Sequence, residues 1–197
     1  MKSEGPETFR LFCAIELPDS VRKLALQHIA RLKEALPRAK ASWGRDTNLH
    51  LTLKFLGEIP RSSVADLSKA AALAVAGLQP FPIQLEECGT FPDRGQPRVL
   101  WIGVTDASGK LLELHARLEE AAAQKGFARE SRPFHPHLTI ARLRQAESAR
   151  ELALAHKQLD FEPVSIVVSE LLVIRSELSS AGSKYTVISR HDLLTVP

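Results

Sequence analysis

Short apolar segments along the chain predict strands, because most of them are bounded by the turn-forming residues Gly, Pro, Asn and Asp. The predicted strands lie at residues 9–17, 41–43, 49–57, 83–88 and 98–104, in a segment that begins at residue 137, and in two long closing segments, 161–175 and 185–194. The pattern therefore predicts β-structure from one end of the chain to the other.

Between these segments, apolar residues recur every three or four positions, which is the spacing of a helix with one buried face. Four helices are predicted: residues 19 or 20 to 36, residues 60–63 to about 77, residues 106 or 108 to 126, and about 146–157. We expect the first two to accompany the strand at 49–57 and the last two to accompany the strand that begins at 137. The predicted fold class is α+β, with two pseudo-symmetric lobes around a central cleft, each an antiparallel sheet with outer helices.

Composition narrows the class of protein without identifying it. The 197 residues are 44% hydrophobic and 25% charged, as is usual for a globular domain, and the formal net charge of +3 permits an anionic partner. The most apolar run, residues 70–78, is too short to cross a bilayer, and the polar N-terminus does not resemble a signal peptide. Two cysteines make a disulfide framework improbable, so we expect a reduced, cytoplasmic setting and no membrane partner.

Two tetrapeptides, at residues 50–53 and 137–140, share the pattern His, apolar, Thr, apolar. Because alternate side chains of a strand point to the same face, His50 and Thr52 should share one face, and His137 and Thr139 should share the equivalent face of their own strand. Each strand then has an apolar face for a core and a polar face with an imidazole beside a hydroxyl. We expect the two half-folds to bring these polar faces to a shared cleft.

Two convergent imidazoles could serve three kinds of chemistry. A metal site is disfavoured: His135 and His137 lie close together with His50 as a third candidate, but no Cys, Asp or Glu recurs at ligand spacing. A Ser or Cys nucleophile lacks its sequence context. General acid–base catalysis at phosphorus fits best, because displacement at a phosphodiester needs a base and an acid on opposite sides, and imidazole titrates near neutral pH. That chemistry requires neither metal nor cofactor.

Residues 10–12, 48–57 and 132–142, which contain both motifs and their flanks, resemble the 2H phosphoesterase superfamily, and most closely the bacterial RNA 2',3'-cyclic phosphodiesterases, also called 2'-5' RNA ligases. The resemblance implies one domain over residues 1–197 with two intertwined lobes. It also implies hydrolysis of an RNA 2',3'-cyclic phosphate end, or of small cyclic nucleotides, to a 2'-phosphomonoester. His50 would protonate the departing O3' and His137 would activate water, roles that the symmetric repeat alone leaves interchangeable. A monomer is expected.

Three flanking residues are further candidates for the substrate site. Arg142 matches a family arginine that binds phosphate. It lies an odd number of positions after His137, so in a regular strand its side chain should point to the opposite face unless the strand bulges. Lys54 lies an even number of positions after His50, so its side chain should point to the same face and is expected to add positive charge to the cleft. Phe12 matches an aromatic residue that could stack on a terminal base, although a core role is nearly as well supported.

Other functions remain open at this point. The same site could join tRNA halves through a 2'-5' bond, because a catalyst acts in both directions. A non-enzymatic module that binds RNA ends could use a basic cleft, but it would need no acid and no base. A zinc hydrolase is the third alternative.

Overall fold

The computed structural model describes residues 7–144, 146–179 and 182–194, and over these ranges the chain forms nine strands and four α-helices. The strands are β1 (Thr8–Glu16), β2 (Ala41–Trp43), β3 (His50–Pro60), β4 (Phe81–Phe91), β5 (Val99–Thr105), β6 (His137–Leu143), β7 (Val164–Val168), β8 (Glu170–Ser179) and β9 (Gly182–Asp192). The helices are α1 (Asp19–Ala35), α2 (Val64–Val75), α3 (Lys110–Gln124) and α4 (Ala146–Leu159), with 3₁₀ turns at Asp46–Asn48 and Arg61–Ser63.

The strands form two sheets in which every neighbouring pair is antiparallel. Sheet A has four strands in the order β3-β1-β8-β9, and sheet B has five in the order β2-β6-β5-β4-β7. The first motif strand, β3, is an edge of sheet A, and the second, β6, belongs to sheet B. This arrangement confirms the predicted α+β class with two antiparallel sheets.

The helices are shared between the two halves of the chain differently from our expectation. We expected α1 and α2 to accompany β3, but α1 packs on α4 beside sheet B, whereas α2 packs on α3 beside sheet A. The connections between strands explain this difference: β2 follows α1 and pairs in sheet B, and the C-terminal strands β8 and β9 return to sheet A. Each half of the chain therefore contributes one helix to each sheet, and the two sheets cannot be separated by cutting the chain once.

One predicted strand was also wrong in detail. The segment 161–175 was predicted to be a single strand, but it is divided into β7, at the edge of sheet B, and β8, inside sheet A. A turn was predicted around residues 179–183; β8 ends at Ser179 and β9 begins at Gly182, and residues 180 and 181 lie outside the described ranges. In the described parts of the chain, no helix combines the length and the apolar composition needed to cross a bilayer.

A bulge interrupts each motif strand directly after its His-x-Thr sequence. In β3, Thr52 pairs with Ala14 and Lys54 with Cys13, so Leu53 is the extra residue. In β6, Thr139 pairs with Trp101 and Ala141 with Leu100, so Ile140 is the extra residue. An extra residue reverses the face of the sheet to which the following side chains point, until the next irregularity in the strand.

The first bulge turns Lys54 away from the cleft. Its side chain enters the core with only 4% of its surface exposed, and its Nζ lies 2.7 Å from Glu119 Oε1 and 2.8 Å from the carbonyl oxygen of Ala128. Glu119 also accepts a hydrogen bond from the backbone N–H of Glu130. The expectation that Lys54 adds charge to the cleft was therefore wrong: it is half of a buried ion pair between β3 and α3.

Replacing Lys54 alone should destabilise the protein strongly, because the carboxylate of Glu119 would remain buried without its counter-charge. We expect Lys54→Met to lower the free energy of unfolding by about 3–5 kcal/mol, measured by urea denaturation. The double variant Lys54→Met/Glu119→Leu removes both charges and should recover most of that loss. Equal destabilisation of the single and double variants would contradict the ion pair as the cause.

Candidate active site

The two motif strands run close to each other where the sheets meet, and a cleft of about 830 Å³ opens beside them. His50, Thr52, His137 and Thr139 all line this cleft, so the faces predicted from strand alternation are brought together. The other described residues that line it are Lys33, Ala41, Ser42, Trp43, Gly44, Arg45, Asn48, Ile140, Ala141, Arg142, Arg144, Ser179, Gly182, Ser183 and Tyr185. Four of the lining residues are cationic, and this described lining contains no Asp, Glu or Cys.

Each imidazole is oriented by the backbone two residues before it. His137 Nδ1 lies 2.7 Å from the carbonyl oxygen of His135, and the backbone carbonyl of Asn48 accepts a hydrogen bond from His50. A carbonyl can only accept, so Nδ1 of His137 carries a proton and Nε2 is left for chemistry. The repeated sequence thus produces the same local hydrogen bond in both strands.

Aromatic side chains pack around His137. The ring of Phe91 meets it edge to face at 4.9 Å between centroids, and the Trp101 indole lies 6.5 Å away while contacting His135 at 5.1 Å. The indole occupies space that only a glycine leaves open, because a Cβ at Gly89 would come within 2.0 Å of the Trp101 ring. This packing removes water from one side of His137.

Phe12 and Tyr185 pack around His50. Phe12 stacks on the imidazole with 4.6 Å between centroids and an interplanar angle of 25°, and Tyr185 meets the same imidazole edge-on at 5.2 Å. Phe12 is only 3% exposed, so it has no free face for a nucleobase. The expected base-stacking role of Phe12 is therefore corrected to a packing role, in which the ring holds His50 in place.

The second bulge brings Arg142 into the cleft. Before the extra residue Ile140, alternation would point position 142 away from His137, and after it Arg142 faces the same side as Thr139 and lines the cleft. The positive charge of Arg142 lowers the pKa of both His50 and His137, which means that the guanidinium lies near both imidazoles. The equivalent position after the first bulge is Phe55, which is exposed and packs under the guanidinium of Arg10.

Burial is the main influence on the titration of both imidazoles. It lowers the pKa of His50 to about 4, opposed by the hydrogen bond to Asn48 and reinforced by Arg142. Burial also lowers the pKa of His137, opposed by the hydrogen bond to the carbonyl of His135 and reinforced by the charges of His135 and Arg142. Both rings are therefore neutral at pH 7 in the unliganded cleft, and an entering anion would raise the pKa of each.

Several residues of the site were not found from the sequence. Tyr185, the single tyrosine of the chain, lines the cleft from β9, and burial raises the pKa of its phenol. Lys33 and Arg45 add positive charge from segments without a motif. A lone tyrosine in a closing strand or an isolated cation in a loop gives no periodic signal, so only the fold brings these side chains to the cleft.

The chain matches a known protein family over most of its length. The family model described as "2'-5' RNA ligase superfamily" matches residues 17–179, and the chain belongs to that family. The resemblance to 2H phosphoesterases that the motifs indicated is thereby confirmed.

Curated relatives match over most of their length. A Thermotoga maritima protein named RNA 2',3'-cyclic phosphodiesterase is 30% identical over 91% of this chain and 92% of its own. A protein of the same name from Escherichia coli is 31% identical over 93% of this chain and 96% of its own. The crystal structure of Escherichia coli LigT complexed with 3'-AMP has a TM-score of 0.76, is 28% identical, and covers 96% of this chain and 100% of its own.

Removing the charge of Arg142 should raise the pKa of both imidazoles. We expect Arg142→Gln to move the titrations of His50 and His137 to higher pH in a histidine-ring NMR titration, because a nearby positive charge disfavours imidazolium. Arg144→Gln is the matched control, since it removes the same charge from the same cleft and should move neither imidazole. If the two variants gave equal shifts, general electrostatics of the cleft would explain the effect instead.

Shortening Phe12 should act on one imidazole alone. Phe12→Leu opens one face of His50 to water, so the pKa of His50 should rise toward its ordinary value of about 6.5, while the titration of His137 stays in place. Phe9→Leu is the control, because Phe9 lies on the same strand and packs under Arg175 rather than on His50. An unchanged His50 titration in Phe12→Leu would show that Phe12 does not exclude its water.

Proposed function

We propose that the protein hydrolyses RNA 2',3'-cyclic phosphate ends to 2'-phosphomonoesters by general acid–base catalysis with His50 and His137. The observation that carries the proposal is that two backbone-oriented imidazoles from different sheets and the guanidinium of Arg142 line one cleft. A phosphodiester anion needs such cationic surroundings, and the curated relatives named RNA 2',3'-cyclic phosphodiesterase support this class of substrate.

The proposed reaction is one displacement at phosphorus. His137 accepts a proton from water through Nε2 as the water oxygen forms a bond to phosphorus. The bond from phosphorus to O3' breaks, and His50, in its protonated form, gives its proton to that oxygen. The products are a 3'-hydroxyl and a 2'-phosphomonoester, and the two histidines have exchanged protonation states. Solvent restores them before the next turnover.

Protonation of His50 must be coupled to the arrival of substrate. Its pKa of about 4 in the empty cleft leaves it neutral at pH 7, so it cannot yet act as an acid. The anionic phosphate adds a negative charge near both rings and raises both pKa values, as an opposite charge favours the charged form. The assignment of His50 as acid and His137 as base follows the family resemblance, because the repeat is close to symmetric.

The remaining polar groups hold the phosphate. Thr52 and Thr139 share the cleft face of their strands with the catalytic imidazoles, and their hydroxyls are suited to donate to the non-bridging oxygens. Arg142 offers a planar, permanently charged group to the same oxygens. The described cleft lining contains no carboxylate or thiol that would complete a metal site with the imidazoles, so the proposed chemistry is metal-independent.

The catalytic unit that we propose is a single domain over residues 1–197 that includes both sheets. His50 belongs to sheet A and His137 to sheet B, and one chain supplies both. A monomer is therefore sufficient for catalysis. RNA would enter along the cationic lining, where Lys33, Arg45 and Arg144 surround the reacting groups.

Ligation is the same displacement with a different nucleophile. If the 5'-hydroxyl of a second RNA replaces water, the same base and acid form a 2'-5' bond, and the family name records this reaction. Water is present at far higher concentration than any RNA end, so hydrolysis is the reaction that we propose as dominant.

The test uses an oligonucleotide that ends in a 2',3'-cyclic phosphate, incubated with chelator and without added metal. We expect a terminal 2'-phosphate, and we expect His50→Ala and His137→Ala each to lower kcat by roughly 10²–10⁴-fold. His191→Gln is the matched control, because this histidine bonds Ser189 in β9 and is absent from the cleft lining. A folded His50→Ala or His137→Ala variant with near-normal rate, or a 3'-phosphate product, would refute the mechanism.

A further inference from the structure

Three side chains from distant parts of the chain meet away from the cleft, between sheet B and the helices that cover it. His28 comes from α1, His156 from α4 and Cys88 from β4. His28 Nε2 lies 2.8 Å from His156 Nδ1 and 3.8 Å from Cys88 Sγ, and the three atoms are all within 4.8 Å of one another. Both imidazoles are buried, at 1% and 0% exposed, and Cys88 is partly exposed.

A bulge in β4 directs the thiol to this place. Glu86 pairs with Gly103 and Cys88 with Ile102, so Glu87, with φ of 62°, is the extra residue. Side chains before the bulge alternate with Ile83 and Leu85 in the core, and the extra residue moves the next core-facing position to Cys88. Without the bulge, Cys88 would face the opposite side of the sheet.

The outer nitrogens of the two imidazoles face backbone carbonyls. His156 Nε2 lies 2.9 Å from the carbonyl oxygen of Trp101, and the backbone carbonyl of Asp160 accepts a hydrogen bond from His28. Arg31 Nη2 lies 3.2 Å from His28 Nδ1 and 3.4 Å from that Asp160 oxygen, so the carbonyl is on the Nδ1 side of the ring. A guanidinium can only donate, so Nδ1 accepts from Arg31 while the His28 proton is on Nε2. With the proton on Nδ1, Arg31 would keep only its bond to the Asp160 oxygen, and Nδ1 would donate to the same carbonyl. Histidine ligands of metals typically donate the outer N–H in this way, which leaves the inner nitrogen as a lone-pair donor.

When both outer nitrogens are protonated, the two inner nitrogens present lone pairs to each other at 2.8 Å. Such a contact is repulsive unless a proton or a cation lies between the two nitrogens. In the metal-free protein, a shift of the His28 proton to Nε2 makes an ordinary hydrogen bond to His156 Nδ1. The alternative is a cation that accepts both lone pairs together with the Cys88 sulfur.

We propose that His28, His156 and Cys88 form a binding site for a divalent cation of the zinc class. Zinc–nitrogen bonds of about 2.0–2.1 Å and zinc–sulfur bonds of about 2.3 Å at tetrahedral angles separate nitrogen from nitrogen by about 3.3 Å and nitrogen from sulfur by about 3.6 Å. The observed 3.8 Å between Cys88 Sγ and His28 Nε2 is close to this value, the two imidazole nitrogens need to separate by about half an ångström, and His156 Nδ1 lies within 4.8 Å of the sulfur. The partly exposed side of Cys88 leaves the fourth position to water.

Binding is balanced by the release of one proton. The Cys88 thiol loses its proton and becomes a thiolate, while both imidazoles stay neutral, with the His28 proton on Nδ1. Because the thiol must lose its proton to bind the cation, the affinity should increase as pH rises. The cation would join α1, α4 and β4, and would thereby stabilise the fold without taking part in the reaction in the cleft.

The test is a titration of chelator-treated, tag-free protein with Co²⁺, followed by competition with Zn²⁺. We expect one Co²⁺ per chain, with a thiolate-to-cobalt charge-transfer band in the near ultraviolet that Zn²⁺ abolishes and that strengthens as pH rises. The Tm should increase with Zn²⁺, because a ligand that binds the native state stabilises it.

Variants separate this site from the cleft. Cys88→Ser and His28→Gln should lose the band and the Zn²⁺-dependent rise in Tm, whereas Cys13→Ser, which removes the other thiol, should keep both. The double variant His50→Ala/His137→Ala should bind Co²⁺ as the parent does. Absence of saturable binding in the folded parent, or binding that is lost in the cleft variant and kept in Cys88→Ser, would overturn the proposal. Neither result would bear on the reaction proposed for the cleft.

Discussion

The orientation of the cleft depends on one backbone irregularity that occurs twice. In each motif strand an extra residue follows the His-x-Thr sequence, and it reverses which side of the sheet the next side chains face. The same event has different results in the two strands, because the sequences after the bulges differ. In β3 it sends Lys54 into the core to meet Glu119, and in β6 it brings Arg142 to the cleft. A symmetric backbone thus carries an asymmetric distribution of charge.

Packing around the imidazoles sets their protonation. Phe12 and Tyr185 surround His50, and Phe91 and Trp101 lie beside His137, so both rings are partly removed from water. Burial then outweighs the hydrogen bonds to backbone carbonyls, and the pKa of each imidazole is lowered. At pH 7 and without a ligand, both imidazoles are therefore neutral beside the guanidinium of Arg142, and an anion in the cleft would make imidazolium more favourable. In the reaction that we propose, binding of the phosphate anion would therefore be coupled to protonation of the acid.

The sequence predicted the elements and the motifs much better than it predicted their connections. All four helices and both motif strands lie close to where the periodicity of apolar residues indicated, because this signal is local. The failures concern long-range order. Nothing local reveals that β7 and β8 belong to different sheets, or that α1 packs on α4. The prediction that Lys54 points to the same face as His50 failed because a bulge has no reliable sequence signature. The allowance made for a bulge at Arg142 agrees with the structure.

The pairing of β1 with β8 has a consequence for how the protein is made. Leu11 pairs with Arg175, so the central pair of sheet A joins residues near opposite ends of the chain. During synthesis, β1 and β3 can form a hairpin-like unit early, but their sheet stays incomplete until β8 and β9 have left the ribosome. Contacts between residues so distant in sequence also make folding slow, because a long loop must close before they contribute stability. A nascent chain therefore has both histidine motifs well before it has a finished cleft to hold them.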